Sequence, residues 1–220
     1  MDSKTRTEIA ISRIHFPVTS LGPGQRIGLW FQGCSIRCGG CMSRDTWDDR
    51  PEQRVEMTEL FAFLGGLDRP DVAGITISGG EPFDQAEALY ELVVWLRSSF
   101  CHGNRDILVY SGYHMAALVR DHARILASVD ALISEPFQEF LAPRSSLRWR
   151  GSPNQVLTPQ SKLGECRYGP EVNAPSKGEI QLQADGNNLW IVGVPKAGDI
   201  GRLEQLLYKN GIGLHNASWR

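Results

Sequence analysis

The chain has 220 residues, with 23 Lys and Arg against 25 Asp and Glu for a formal net charge of -2 at pH 7. That length supports a proper hydrophobic core, expected here as one domain, and the small charge gives no electrostatic case for a nucleic-acid or membrane-surface partner. No run approaches the roughly 20 apolar residues of a membrane span, and MDSKTRTEIAISRIHF at the start lacks the apolar stretch of a signal peptide, so a cytoplasmic protein is expected, with no nucleic acid and no membrane among its partners.

Residues 8–18 (EIAISRIHFPV) and 26–33 (RIGLWFQG) are rich in β-branched and aromatic residues and read as two strands around a turn-rich SLGPGQ, in which Gly22-Pro23-Gly24 reads as a plain turn. A loop carrying Cys34, Cys38 and Cys41 follows the second strand. Residues 57–67 form a candidate helix, and DVAGITISGGEP gives a short buried strand, 72–78, ending in Gly79 and Gly80. Asp84 with Glu87 resembles a helix-starting cap, and Ala86, Leu89, Val93 and Leu96 recur at helical spacing, so 84–98 reads as an amphipathic helix. DILVYSG (106–112) reads as a strand, HMAALVRDHARILAS (114–128) as a helix and VDALIS (129–134) as a strand, an alternation that predicts a parallel α/β sheet.

From Glu135 to about Lys177 the chain is rich in Pro, Gly, Ser and Arg without periodicity, which predicts a long loop. EIQLQA and NLWIVGV then flank Asp185-Gly186, a strong two-strand turn signal, and a last helix is expected over 199–209 with Leu203, Leu206 and Leu207 inward. The expected layout is a single domain, 1–220, with a core of about 8–157 and a C-terminal extension of about 158–220.

The cysteines carry the chemistry. In a reducing compartment thiols stay free, so a cluster of them points to a metal or to redox work rather than to disulfides. The spacing C-x3-C-x2-C lets three thiolates converge on one inorganic centre. A structural zinc needs a fourth ligand, which would come from Cys101, Cys166 or one of five scattered histidines, none at ligand spacing. A cubane iron-sulfur cluster normally takes four cysteines, so three leave one iron open. Gly33, Gly39 and Gly40 let the backbone turn tightly beside such a centre.

C-x3-C-x2-C after a strand resembles the cluster motif of the radical S-adenosylmethionine superfamily, and GPGQRIGLWFQGCSIRCGGCMSRDTW resembles the activating proteins of anaerobic ribonucleotide reductase, a family of glycyl-radical activases. GGEP (79–82) is similar to the superfamily's motif for the cofactor amino group, YSGY (110–113) to the family's YTGY, DALISEPF (130–137) to its DxLIDGPF and WRGSPNQ (149–155) to its RGSxNQ. The resemblance covers about residues 8–157 and departs at Ser134-Glu135, where the family has Asp-Gly, and at Met42-Ser43, where Asn commonly follows the third cysteine.

The resemblance implies an α/β fold, a partial (β/α) barrel of radical S-adenosylmethionine type with a mostly parallel sheet and a C-terminal hairpin-helix addition. It implies a [4Fe-4S] cluster on Cys34, Cys38 and Cys41, whose open iron binds S-adenosyl-L-methionine, and reductive cleavage to a 5'-deoxyadenosyl radical. That radical would take hydrogen from a glycine of a glycyl-radical partner, a ribonucleotide reductase-like enzyme, with a flavodoxin or ferredoxin type reductant as the electron source. Gly79, Gly80 and Glu81 would meet the cofactor's amino group, Ser111 and Gly112 its carboxylate or ribose, and Asn154 and Gln155 the cofactor or the substrate backbone. Trp30, Trp47 and Val192 would pad the cluster or the adenine, and Arg144, Arg148 and Arg150 would form a docking rim. Two other functions remain open at this level: a radical enzyme of the same core acting on a small molecule or peptide, and a non-catalytic iron-sulfur or zinc module.

Overall fold

The computed structural model describes residues 7–144, 147–175, 180–186, 188–196, 198–215 and 217–218, without the side chains of Pro143, Arg144 and Asp185. Strand β1 (Glu8–Val18) pairs antiparallel with β2 (Arg26–Phe31), and the edge strand β3 (Arg54–Glu56) pairs antiparallel with the other side of β1. Next to β2 lie β4 (Gly74–Gly79), β5 (Asp106–Tyr110) and β6 (Ala131–Ser134), each parallel to the one before, and β7 (Val156–Pro159) closes the row antiparallel to β6. The seven-stranded order is β3-β1-β2-β4-β5-β6-β7, and β8 (Ile180–Asp185) with β9 (Asn188–Gly193) forms a separate two-stranded sheet.

The expected mostly parallel sheet is therefore a mixed one, with three of its six pairings antiparallel. The short turn from β1 to β2 leaves no length for a crossover, so those strands must run opposite ways. Where helices intervene, the strands run parallel.

Alternation along the buried strands fills two layers. Ile107 and Val109 of β5 with Leu132 of β6 face α1 (Met57–Gly66) and α2 (Ala86–Trp95), meeting Leu60, Leu64, Leu89, Leu92 and Val93. Leu108, Ala131 and Ile133 face the other way, onto Trp149, Leu157 and Tyr168. The last of these rides on α5 (Lys162–Tyr168), a capped helix that, with β7, lies where a structureless loop was expected. The helix expected over 114–128 is two pieces, α3 (Met115–Asp121) and α4 (Ala123–Leu126), separated at His122, whose φ of -132° leaves the helical region. In α6 (Asp199–Lys209) no residue is buried: Leu203 and Leu207 are half-buried, and Leu206, expected inward, is exposed. Among the described residues no helix is long and apolar enough to cross a membrane.

The N-terminal ends of the parallel strands are held by a buried charge network. Arg26 opens β2 and is fully buried; its Nη1 and Nη2 reach Asp106 Oδ1 and Oδ2 at 3.0 and 2.9 Å, and its Nε donates to Thr76 Oγ1 at 2.6 Å. The Tyr168 hydroxyl and Arg167 complete the shell of Asp106. Gly22-Pro23-Gly24, read from sequence as a plain turn, wraps this guanidinium: the Pro23 carbonyl accepts from Arg26 at 3.3 Å and from Arg167 at 3.1 Å. The opposite, C-terminal ends of the same strands are free to carry the site.

Candidate metal centre and its cavity

The cysteine loop leaves the C-terminal end of β2 and is tied shut at its base. Gly33 N donates to Thr46 O at 2.7 Å and Cys34 N to Trp47 O at 3.0 Å, while the Gln32 side chain donates to the carbonyls of Asp45 and Asp48. Gln85 braces Gln32 from below, accepting from Ala10 N and donating to Gln32 O at 2.9 Å. Asp84, expected to cap the following helix, turns instead to the loop: its carboxylate accepts from Ser35 N at 2.7 Å, Ser35 Oγ at 2.9 Å and Tyr113 OH at 2.7 Å.

Inside this frame each sulfur receives backbone N–H groups. Those of Ile36 and Arg37 point at Cys34, that of Phe137 at Cys38, and Ser43 N lies 3.3 Å from Cys41 Sγ. Arg37 and Gly40, at φ of 50° and 72°, supply the left-handed turns that this wrapping needs. Burial pushes the Cys34 and Cys38 thiols above their ordinary value against the pull of those donors, so a metal that takes the thiolates must displace protons. All three thiols are free and half-buried. Among the described residues no three His, Cys, Asp or Glu side chains are gathered as ligands of one ion; thiolates bound to separate irons of a cubane stand farther apart than that. Three free thiols in the lining of one cavity, with N–H donors at sulfur, fit a thiolate-held cluster, whose potential such donors tune.

The next strand ends against the loop. Gly80 N donates to Phe31 O and Glu81 N to Gly33 O, both at 2.9 Å. Glu81 is 1% exposed, and its carboxylate bridges two strand ends: Oε1 accepts from Ser111 Oγ at 2.9 Å and Phe83 N at 3.1 Å, and Oε2 from Gly112 N at 2.7 Å. Burial pushes its carboxyl up to about 7 despite those donors. Between about pH 4.5 and pH 7 the folded chain therefore holds a proton that the unfolded chain has released, so stability falls as pH rises through that window, by roughly 3 kcal/mol in all. Urea unfolding of the cluster-free protein at pH 5 and pH 7.5 should show this drop, and Glu81→Gln should flatten it; equal slopes in both proteins would refute the assignment.

Cys34, Cys38, Cys41, Gly79, Gly80, Glu81, Ser111 and Gly112 line one cavity of about 900 Å³, together with Trp30, Trp47, Gln155 and Val192. Nine of the ten residues singled out for cluster and cofactor, Gln155 among them, thus come together. Asn154 does not join them: its Nδ2 donates to Pro136 O at 2.7 Å, holding the β6–β7 connection, and the neighbouring Gln155 reaches the cavity while accepting from Gly151 N. The expected arginine rim is likewise occupied. Arg148 pairs with Glu171 at 2.6 Å, Arg150 is buried and donates to Val172 O, and the side chain of Arg144 lies outside the described residues. Val192, picked from sequence as padding, is in place, and the rest of that wall, which sequence reasoning missed, comes from its neighbours in 188–196 and from the C-terminal tail, including Trp190, Lys196 and Leu214.

Glu135, which stands where related motifs have glycine, adopts a φ of 79°. That conformation costs a non-glycine residue about 1–2 kcal/mol, and here its carboxylate offsets the cost by accepting from Met115 N at 3.0 Å at the start of α3. Glu135→Ala, which keeps the strain and loses the cap, should destabilise by about 1 kcal/mol, whereas Glu135→Gly should be nearly neutral; denaturant midpoints in the reverse order would contradict this account.

A family model described as a 4Fe-4S single cluster domain matches residues 20–158. An anaerobic ribonucleoside-triphosphate reductase-activating protein of Enterobacteria phage T4 is 33% identical over 138 residues, which are 62% of this chain and 85% of that one. Proteins of the same name from Vibrio cholerae and Escherichia coli K12 are 31% and 30% identical over 149 and 148 residues, in each case 65% of this chain and 94% of the relative.

Proposed function

Because the chain belongs to the family of anaerobic ribonucleoside-triphosphate reductase-activating proteins, we propose that it holds a [4Fe-4S] cluster on Cys34, Cys38 and Cys41 and, with S-adenosyl-L-methionine, installs a radical on a glycine of an anaerobic ribonucleotide reductase-like partner. When bound, the reduced cluster and the sulfonium cofactor together supply a hydrogen-abstracting carbon radical. The observation that carries the reading is the placement of three N–H-wrapped cysteines and the Glu81 carboxylate in the lining of one cavity at the C-terminal ends of parallel strands, where sites on such sheets form.

Glu81 is suited to an ammonium. Three donors fill three of the roughly four acceptor positions of its carboxylate and leave one on Oε2. A cation there favours the ionised form, so cofactor binding near pH 7 should release a proton. Ser111 and Gly112 hold that carboxylate in place and also line the cavity, where they would meet the cofactor's carboxylate or ribose. Gly79 and Gly80, lacking side chains, let the ligand approach the backbone. Asn154, turned to Pro136, acts by fixing the segment that presents Gln155. The whole chain is read as one domain, its four parallel strands forming the partial barrel of the radical superfamily, and a flavodoxin or ferredoxin type protein as its one-electron donor.

The test is anaerobic reconstitution with iron and sulfide, reduction by dithionite, and assay for 5'-deoxyadenosine. Incubation with a glycine-bearing partner or peptide deuterated at the α-carbon should then move deuterium into that product. A fully loaded, reduced sample that leaves S-adenosyl-L-methionine intact would end this reading.

A further inference from the structure

The family match stops at residue 158, yet Trp190, Val192, Lys196, Leu214 and Ser218 share a cavity lining with the three cysteines. Two sets of contacts put them there. The hairpin is fixed to the end of β1 and the turn that follows it: Gln181 Oε1 accepts from Thr19 N at 3.0 Å, its Nε2 donates to Pro17 O at 2.5 Å, and Ser20 Oγ donates to Val192 O at 3.0 Å. The Arg13 guanidinium lies over both Trp30 and Trp190, 5.7 and 5.0 Å from the ring centroids.

The tail is fixed to the cluster loop itself. Ser218 Oγ donates to Met42 O at 2.7 Å, and Arg44 N donates to Ser218 O at 3.0 Å. Those two backbone groups flank Ser43, whose N–H points at the Cys41 sulfur, so the tail holds the turn that wraps the third cysteine. This contact joins positions 176 residues apart in sequence, and local turn preference cannot supply it.

We propose that the C-terminal tail (Ile212 to His215, Ala217 and Ser218) is a strap that seats the third-cysteine turn, with Ser218 as a positioning residue for the cluster. The proposal rests on Cys41 being a cluster ligand, as the functional reading has it. Release of the strap frees Met42 O and Arg44 N and lets the turn, with its N–H to sulfur, move away from the centre. The cluster then becomes easier to strip and changes potential, because hydrogen bonds to the sulfurs and solvent exposure both set it.

The test compares the full chain, a chain ending at Gly211, and Ser218→Ala. After anaerobic reconstitution the shortened chain should contain as much iron and sulfide as the full one, lose iron to a ferrous chelator about tenfold faster, and show a shifted midpoint potential; Ser218→Ala should lose iron about threefold faster. In the cluster-free proteins the same changes should speed alkylation of Cys41, while exposed Cys166 reacts at an unchanged rate. Iron loss and Cys41 alkylation within about twofold of the full chain in both variants would overturn the strap. Should the shortened chain fail to fold, Ser218→Ala in the full chain decides alone. A full chain that loads its cluster but never cleaves S-adenosyl-L-methionine defeats the functional reading and leaves this comparison readable.

Discussion

Gly80→Ala should cost at least about a hundredfold in reductive cleavage of S-adenosyl-L-methionine. A Cβ at this position would lie 2.0 Å from Gly33 O and 3.0 Å from Thr46 O, both backbone atoms of the clasp that closes the cysteine loop. Neither can yield by rotating a side chain, so the strand end and the loop must separate by an ångström or more. Displacements of that size at a reacting centre carry losses of about two orders of magnitude, and overpacking alone costs about 1–3 kcal/mol of stability. The control is Gly65→Ala in α1, where a Cβ meets nothing within 4 Å; it should stabilise by about 0.5–1 kcal/mol and leave activity unchanged. Iron content, 5'-deoxyadenosine yield and a urea midpoint read all three proteins. A Gly80→Ala protein with full iron and ordinary turnover would show that this close approach does not position the centre.

The second large effect lies at the other end of the sheet. Asp106→Ala leaves the fully buried Arg26 guanidinium without its bidentate partner and removes the acceptor of the Tyr168 hydroxyl. Breaking a buried pair from one side costs about 3–5 kcal/mol, a large share of the roughly 5–15 kcal/mol that holds a domain together. Replacing both partners with apolar residues, Arg26→Met with Asp106→Leu, should recover part of that loss because no charge stays buried alone. Urea unfolding of cluster-free Arg26→Met, Asp106→Leu and their double variant gives the coupling directly. A single variant within about 1 kcal/mol of the parent protein would mean that water reaches the guanidinium and that the network is no anchor.

The parts of the fold that sequence reveals are those whose signal is local. Strands β1, β2, β4, β5 and β6 announce themselves by β-branched runs, and Asp185-Gly186 marks the hairpin. Strand β7 is four residues ending in proline, paired only with the sheet edge, and α5 is seven residues built around Gly164, which abuts Asp130 so closely that a Cβ would fall 1.8 Å from its carbonyl. Neither is long enough to show a period. The Ser161 cap of α5, with its hydroxyl accepting from Gly164 N, was the one signal available.

The site divides the same way. Three cysteines within eight positions stand out because the chain itself brings them together, and Glu81 stands out only through the resemblance of GGEP to a family motif. The role of Asp84 in the loop, the retreat of Asn154 from the cavity and the wall from residues 188–196 depend on contacts between distant segments, which no spacing rule encodes.

The Arg26 and Asp106 network anchors the sheet without drawing on iron. That network lies at the end of the sheet opposite the cysteines and includes none of them, so a chain emptied of any metal is expected to keep its fold, and the urea transition of the cluster-free protein checks this.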